Sequence, residues 1–259
     1  MLRNLPIAAL IGLSTLVAAQ TADEIVSKNL TAKGGIEKIK ALKSLKMTGR
    51  FQQGDFTADV GQESRAPNLI RQTFTIQGMT QIQAYDGITG WQISPFQGRK
   101  DPEVLGEDDL RNLTEDADFY GPLVDYREKG NTVEYLGPAT VDGDDAYRLK
   151  VTLKNGDIFY YYLDPDTYLE IRIEKQRFIR GSVRESLTNL GSYKLISGVY
   201  LPMSLEVGDK RDPNSMTQIT FSNIEANLHL PDSEFNMPAA VIPATQKQAA
   251  GSKTRTPGH

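Results

Sequence analysis

Apolar and polar residues alternate with a period of two through most of this chain, and the pattern begins abruptly. Ahead of it, Thr21-Ala22-Asp23-Glu24 has the form of a helix capping box, followed by Ile25, Val26 and Leu30 on one helical face. Gly34-Gly35 ends that helix, and Ile36, Ile39 and Leu42 keep helical spacing in a second, shorter one. From Leu45 the period changes, with Leu45, Met47, Gly49 and Phe51 opposite Lys46, Thr48 and Arg50. Ile70, Phe74 and Ile76 then alternate with Arg71, Thr73 and Thr75, Ile82 and Ala84 with Gln81 and Gln83, and Trp91 and Ile93 with Gln92 and Ser94.

The second half repeats the scheme. Tyr147, Leu149, Val151 and Leu153 lie opposite Arg148, Lys150, Thr152 and Lys154, and Leu169, Ile171 and Ile173 opposite Glu170, Arg172 and Glu174. Residues 158–163 are apolar on both faces, which predicts a covered outer side. Asp86-Gly87, Asp142-Gly143, Asn155-Gly156 and Asp164-Pro165-Asp166 have turn chemistry, so consecutive strands are expected to be antiparallel neighbours. A helical insertion interrupts the strands over 101–129. Leu110, Leu113 and Ala117 share one face of an acidic helix, and Phe119, Tyr120, Leu123, Val124 and Tyr126 form a second apolar group jointed at Gly121-Pro122.

Strands with one apolar face must pack on a second sheet or curl around that face. A second sheet would leave the helices no apolar surface, so curling is favoured. The expected fold class is α+β, an incomplete, half-open antiparallel β-barrel of about ten or eleven strands with helices covering its concave apolar face.

Composition narrows the function classes. Arg3, the apolar run 5–16 and Val17-Ala18-Ala19 predict a signal peptide over 1–19, cleaved near Ala19/Gln20, hence export to the periplasm as a soluble protein. A domain over 20–238 and a disordered tail over 239–259 follow from the composition. The absence of cysteine excludes disulfides, thiol chemistry and N-terminal lipidation, and a net charge of −4 without a basic tract argues against nucleic acid as a partner. The two histidines, His229 and His259, are not in metal-ligand spacing, and no G-x-S-x-G elbow accompanies them. The Asp142-Gly143-Asp144-Asp145 and Asp164-Pro165-Asp166 clusters lack a calcium-loop pattern and read as turns. No metal, cofactor or catalytic group is expected, and an apolar container is the remaining reading.

The stretch 65–96 carries a resemblance. Arg65-Ala66-Pro67-Asn68-Leu69-Ile70-Arg71, then Asp86-Gly87, Trp91 and Pro95-Phe96, resembles the R-x-P-N strand start and D-G-x-x-x-W-x-x-x-P-F segment of the LolA/LolB outer-membrane lipoprotein-sorting family. Gly34-Gly35, Gly198-Val199-Tyr200-Leu201-Pro202, Pro231 and Phe235-Asn236-Met237-Pro238 extend the likeness over 22–238. It implies a non-enzymatic carrier whose half-barrel holds the acyl chains of a lipid or lipoprotein. An inner-membrane transporter would be the donor and an outer-membrane protein the acceptor, and the carrier itself a monomer. The acyl-chain cavity would be lined by Met47, Phe51, Ile70, Phe74, Ile82, Trp91, Leu110, Leu113 and Leu123, with Gly121 as a lid hinge. In the family an arginine directly before the strand-opening proline latches the lid. Here Ala66 stands in that place and Arg65 lies one residue earlier, which turns the guanidinium to the opposite face unless a bulge compensates. Two other readings stay open: an envelope sensor or interaction module built on the same half-barrel, and a secreted hydrolase dependent on His229.

Overall fold

The computed structural model describes residues 20–239 apart from 99, 180, 213 and 214. The expected leader and residues 240–259 of the expected tail lie outside the described residues.

Helix α1 (Ala22–Ala32) opens on the capping box: the Thr21 hydroxyl accepts from the Glu24 amide at 3.2 Å, and the Glu24 carboxylate accepts from the Thr21 amide at 2.9 Å. A short α2 (Ile36–Ala41) follows. Gly34, at φ +128°, is required between them, because a Cβ there would meet the Gly198 carbonyl oxygen at 2.2 Å.

The strands come in two groups. The first is β1 (Ser44–Gln53), β2 (Phe56–Arg65), β3 (Leu69–Ile76), β4 (Met79–Tyr85), β5 (Gly90–Ile93) and β6 (Glu103–Val104). Helix α3 (Glu107–Asp116) intervenes, and its first turn carries Glu107, Asp108 and Asp109 where the helix dipole favours carboxylates. The second group is β7 (Thr132–Val141), β8 (Asp144–Thr152), β9 (Ile158–Leu163), β10 (Glu170–Ile179), β11 (Ser182–Gly191), β12 (Lys194–Ile196), β13 (Val199–Leu201), β14 (Ser204–Asp209) and β15 (Thr217–Ala226).

Thirteen of these strands form one antiparallel sheet in the order β6-β5-β4-β3-β2-β1-β15-β14-β11-β10-β9-β8-β7, and β12 and β13 pair separately. This exceeds the expected ten or eleven because two full strands carry weak alternation. In β2 the inward residues include Gln62 and Ser64, and in β7 a bulge at Leu136 breaks the period. The second half of the expected helical insertion also differs: 118–130 is a succession of turns around Gly121-Pro122.

The sheet does not close, but it curls. Asp116 of α3 accepts from Gln72 of β3 at 3.4 Å and lies 3.8 Å from the Lys175 ammonium of β10. β3 and β10 stand six places apart in the strand order, about 29 Å along a flat sheet at ~4.8 Å per strand. One carboxylate touches both only if the sheet bends to bring them face to face.

Register carries a single inner face around the bend. It holds Leu149 and Val151 of β8, Phe159, Tyr161 and Leu163 of β9 and Ile173 of β10, against which Ile25 and Val26 of α1 and Leu123 and Tyr126 pack. On the β3 side, Ile70 packs with Leu105, Leu113 and Ala117. On the outer face the expected cover over β9 is a local cluster of Val141, Ala146 and Tyr162, with the Arg148 guanidinium 4.3 Å and 5.4 Å from the ring centres of Tyr160 and Tyr162.

The outer face of β2–β5 is closed by the C-terminal segment. Phe235 is fully buried, its carbonyl accepts from the Trp91 indole at 2.7 Å, and the Arg65 guanidinium sits 5.5 Å above its ring. Phe235→Ala should therefore cost about 3–5 kcal/mol, read as a lowered midpoint in urea. Unchanged stability would show that this segment is not part of the cooperative fold.

Candidate functional site

Cross-strand pairing separates the predicted cavity residues into two sets. Met47 pairs with Gln62, Phe51 with Ala58, Ile70 with Ser64 and Phe74 with Val60, all on the inner face. Ile82 pairs with Thr73, and Trp91 with Ala84, which places both on the outer face, opposite to Phe74 and Ile70. Leu110 and Leu113 lie on α3. Gly90 lacks a side chain where one would meet the Leu110 methyl at 2.5 Å, so the helix seats directly on β5. Ile70, Leu113 and Leu123 are 0%, 3% and 5% exposed. Ile70 and Leu113 are packed core, whereas Leu123, although buried, borders free volume of the inner face.

That volume is in two places on the inner face. A groove of about 310 Å³ is lined by Phe51, Val60, Gln62, Gln72, Phe74 and their neighbours, including Ile219 and Phe221 of β15. Phe51 and Phe74 meet edge to face with centroids 5.2 Å apart, and Phe56 extends the group towards the hairpin tips. A second cavity of about 250 Å³ lies under 120–124 and over Phe159, Tyr161, Ile173 and Leu190. Between them run the ion pairs of α3: Glu115 with Arg177 at 2.5 Å and with Lys175 at 2.8 Å, and Arg111 with the fully buried Asp157 at 2.5 and 2.9 Å.

Arg65 and Gly121 hold other things than a lid latch and a slack hinge. Arg65 is on the outer face, donates to the Leu230 carbonyl at 2.6 Å and pairs with Asp232. Gly121 is at φ +76°, and its carbonyl accepts from Lys129 at 2.8 Å while Lys129 also pairs with Asp118 at 2.6 Å. The whole 118–130 stretch is tied to α1 and α2 through Arg127 and Tyr126 on Asp23, and Lys40 on Asp125 at 2.7 Å.

One polar group at the second cavity was not anticipated. Alternation assigned Glu170 to the wet face with Arg172, but a bulge between the two turns Glu170 inward opposite Leu163, and Ile171 outward. Glu170 is 4% exposed and bonds Lys33 at 2.9 Å, and the Tyr193 hydroxyl donates to its carbonyl at 2.8 Å. Burial pushes the Glu170 carboxyl up, but the Lys33 ammonium, together with hydrogen bonds from the backbone and Asn29, offsets this and holds it below the usual range. Burial, with the Glu170 charge nearby, pushes the Tyr161 and Tyr193 hydroxyls upward, so both remain protonated donors. No sequence signal marks the bulge. Among the described residues there is no group of three or more His, Cys, Asp or Glu that could hold a metal ion, and no helix long and apolar enough to cross a membrane.

No protein-family model and no curated protein matches the sequence. Solved structures do match. A LolA superfamily protein from Nitrosomonas europaea superposes with a TM-score of 0.58 at 14% identity, over 84% of this chain and 98% of that one. The chain shares the fold of that LolA superfamily protein. A domain from Vibrio parahaemolyticus assigned to outer-membrane lipoprotein sorting has this fold with a TM-score of 0.55 at 14% identity, over 82% of this chain and 95% of that one. A DUF1329 family protein from Desulfovibrio piger ATCC 29098 shares it with a TM-score of 0.57 at 16% identity, over 84% and 98% of the two chains. The family resemblance carried by residues 65–96 is thus matched by the architecture.

The Lys33–Glu170 pair sets an acid response. Because the folded carboxyl titrates below its ordinary value of 4.5, the pair contributes its full stability above that pH and loses it as pH falls through the folded value. Lys33→Met strands a buried carboxylate and should lower stability at pH 7 by about 2–3 kcal/mol, and the deficit should shrink as pH falls, because protonating Glu170 removes the stranded charge. A deficit of the same size in acid as at pH 7, read from urea midpoints by circular dichroism, would count against the pairing.

Proposed function

We propose that this chain is a non-enzymatic carrier that holds lipid acyl chains, those of lipoproteins, between the inner face of its curled sheet and the 105–131 crossing segment. In this reading the protein works in the periplasm, takes cargo from an inner-membrane transporter and passes it to an outer-membrane acceptor. The observation that supports it is unfilled volume on an inner face that is apolar over most of its extent, where a purely structural barrel would be packed with side chains. The fold likeness to lipoprotein-sorting structures points the same way.

The energetics suit a carrier. Each buried methylene contributes ~0.8 kcal/mol, so eight methylenes against Phe51, Phe74, Ile219 and Phe221 provide about 6 kcal/mol before ordering costs. Binding of this kind is loose enough to be reversed by a competing apolar site. Helix α3 and the 118–130 stretch act as the cover, and opening it requires Glu115 to part from Lys175 and Arg177 of β10.

The test is an environment-sensitive fluorescent fatty acid titrated into the mature protein, with native mass spectrometry of the protein as purified. Trp91 is no reporter of this site, since its indole is on the outer face and bonded to Phe235. Probe emission should rise with micromolar affinity, and Phe74→Asp should weaken it at least tenfold, while Ile88→Glu, at an 87% exposed position, leaves it unchanged. Absence of probe binding, or equal binding by Phe74→Asp, would sink the carrier reading. Glu115→Gln loosens the cover and should speed probe release in stopped flow. An unchanged rate would mean that α3 does not gate the site.

A further inference from the structure

We propose that the groove over β1–β4 takes an amphiphile with a neutral, hydroxyl-rich head: a glycolipid, whose sugar lies on the glutamines and whose chain lies on the phenylalanines. This rests on the carrier reading and names its ligand class.

The register builds an amide row. Gln62, Gln72, Gln83 and Gln92 are direct cross-strand partners on β2, β3, β4 and β5, and Gln81 sits beside Phe74 in the next row. They lie on the inner face, where the far half of the sheet presents Leu149, Val151, Phe159 and Ile173. A container for acyl chains alone gains nothing from amides here, since desolvating them under hydrocarbon is costly.

A glutamine ladder can also be self-sufficient, each amide bonding the next, but this one is not. Gln72 to Gln62 is 3.4 Å and Gln83 to Gln92 is 3.3 Å, at the long end of hydrogen bonding. Gln81 has no side-chain partner among the described residues. Gln62 also donates to Ser64 at 3.0 Å, Gln72 to Asp116 at 3.4 Å and Gln92 to Glu103 at 2.9 Å, but each amide offers two donors and a carbonyl acceptor, so Gln81 and the carbonyls of Gln72 and Gln83 keep capacity for a ligand in the groove. The glutamines are half-buried and reachable by a ligand.

Charge decides the class of head. The groove lining, from Phe51 and Val60 across Gln72 and Gln83 to Ile219 and Phe221, has no ionisable side chain. Two carboxylates border the amide row: Asp116, which faces the Lys175 ammonium at 3.8 Å, and Glu103, which accepts from Gln92 at 2.9 Å. A phosphate or carboxylate head would be desolvated without a counter-charge, whereas sugar hydroxyls both donate and accept, as amides require. The Phe51 and Phe74 rings add flat apolar surface, against which the C–H side of a pyranose or the first methylenes of a chain can pack.

The experiment compares octyl glucoside, octanoate and 1-octanol, which share an eight-carbon chain, by calorimetry on the mature protein below their micellar concentrations. Octyl glucoside should bind at least tenfold more tightly than octanoate, as expected for two retained hydrogen bonds of ~1 kcal/mol each. In the Gln72→Leu/Gln83→Leu double variant that preference should disappear while 1-octanol binds as well or better, which also shows that the variant is folded. If the leucine variant does not fold, Gln72→Thr/Gln83→Thr replaces it, with the same expected loss. Equal binding of all three amphiphiles, or tightest binding of octanoate, overturns the headgroup proposal and leaves the carrier reading intact. Binding of none of them removes both.

Discussion

A step from one edge of the sheet to the other governs this molecule. β6 and β7 follow one another in the chain yet end the sheet on opposite sides, so the residues between them have to traverse whatever space the sheet encloses. The crossing is anchored at each bank. Leu105, Leu113 and Ala117 seat it on Ile70, while Glu115 and Asp116 reach Arg177 and Lys175 on β10. The curl of the sheet, the two separate volumes on its inner face and the position of the 118–130 stretch over β8–β9 all follow from that one span.

Inside the curl, polar residues divide by charge. The ionised ones neutralise each other where elements dock: Lys33 with Glu170 beside α1, Glu115 with Lys175 and Arg177 beneath α3, Arg111 of α3 with Asp157 at the start of β9. Buried pairs of this kind contribute little net stability compared with apolar packing, but an unmatched partner is costly, so each pair fixes its element in one place. The uncharged amides of β2–β5 fix nothing comparable. Their spare hydrogen-bonding capacity faces the groove.

Local features were legible in the sequence and relations between strands were not. The Thr21–Glu24 capping box, the stop at Gly34-Gly35 and the Leu110, Leu113, Ala117 stripe depend on residues within a few positions of each other, and the structure shows each of them. Alternation, by contrast, assigns a face only within one strand. The β3–β4 loop is two residues, Gln77 and Gly78, both at positive φ, and pairs Ile76 with Met79. An even-numbered residue of β3 is thereby matched to an odd-numbered one of β4, so Ile82 points away from Phe74 although both read as inward-facing hydrophobics. The bulge after Glu170 has the same effect within a strand. Arg65 shows the converse, because its one-residue offset from the family position was visible, and its guanidinium is found on the outer face.

The seam between β1 and β15 gives this architecture a history as well as a shape. Leu45 pairs with Ala226 and Phe51 with Ile219, so the two halves of the sheet are joined by strands about 180 residues apart in the chain, the kind of non-local pairing whose loop-closure entropy makes formation slow. Each half can assemble as a local meander, but the halves cannot become one sheet until the last strand has emerged. Until then the β1 edge and the apolar side of the first meander stand open together, a template for pairing with another chain. The protein is therefore most vulnerable to association with its own copies during the interval between making its first strand and its last.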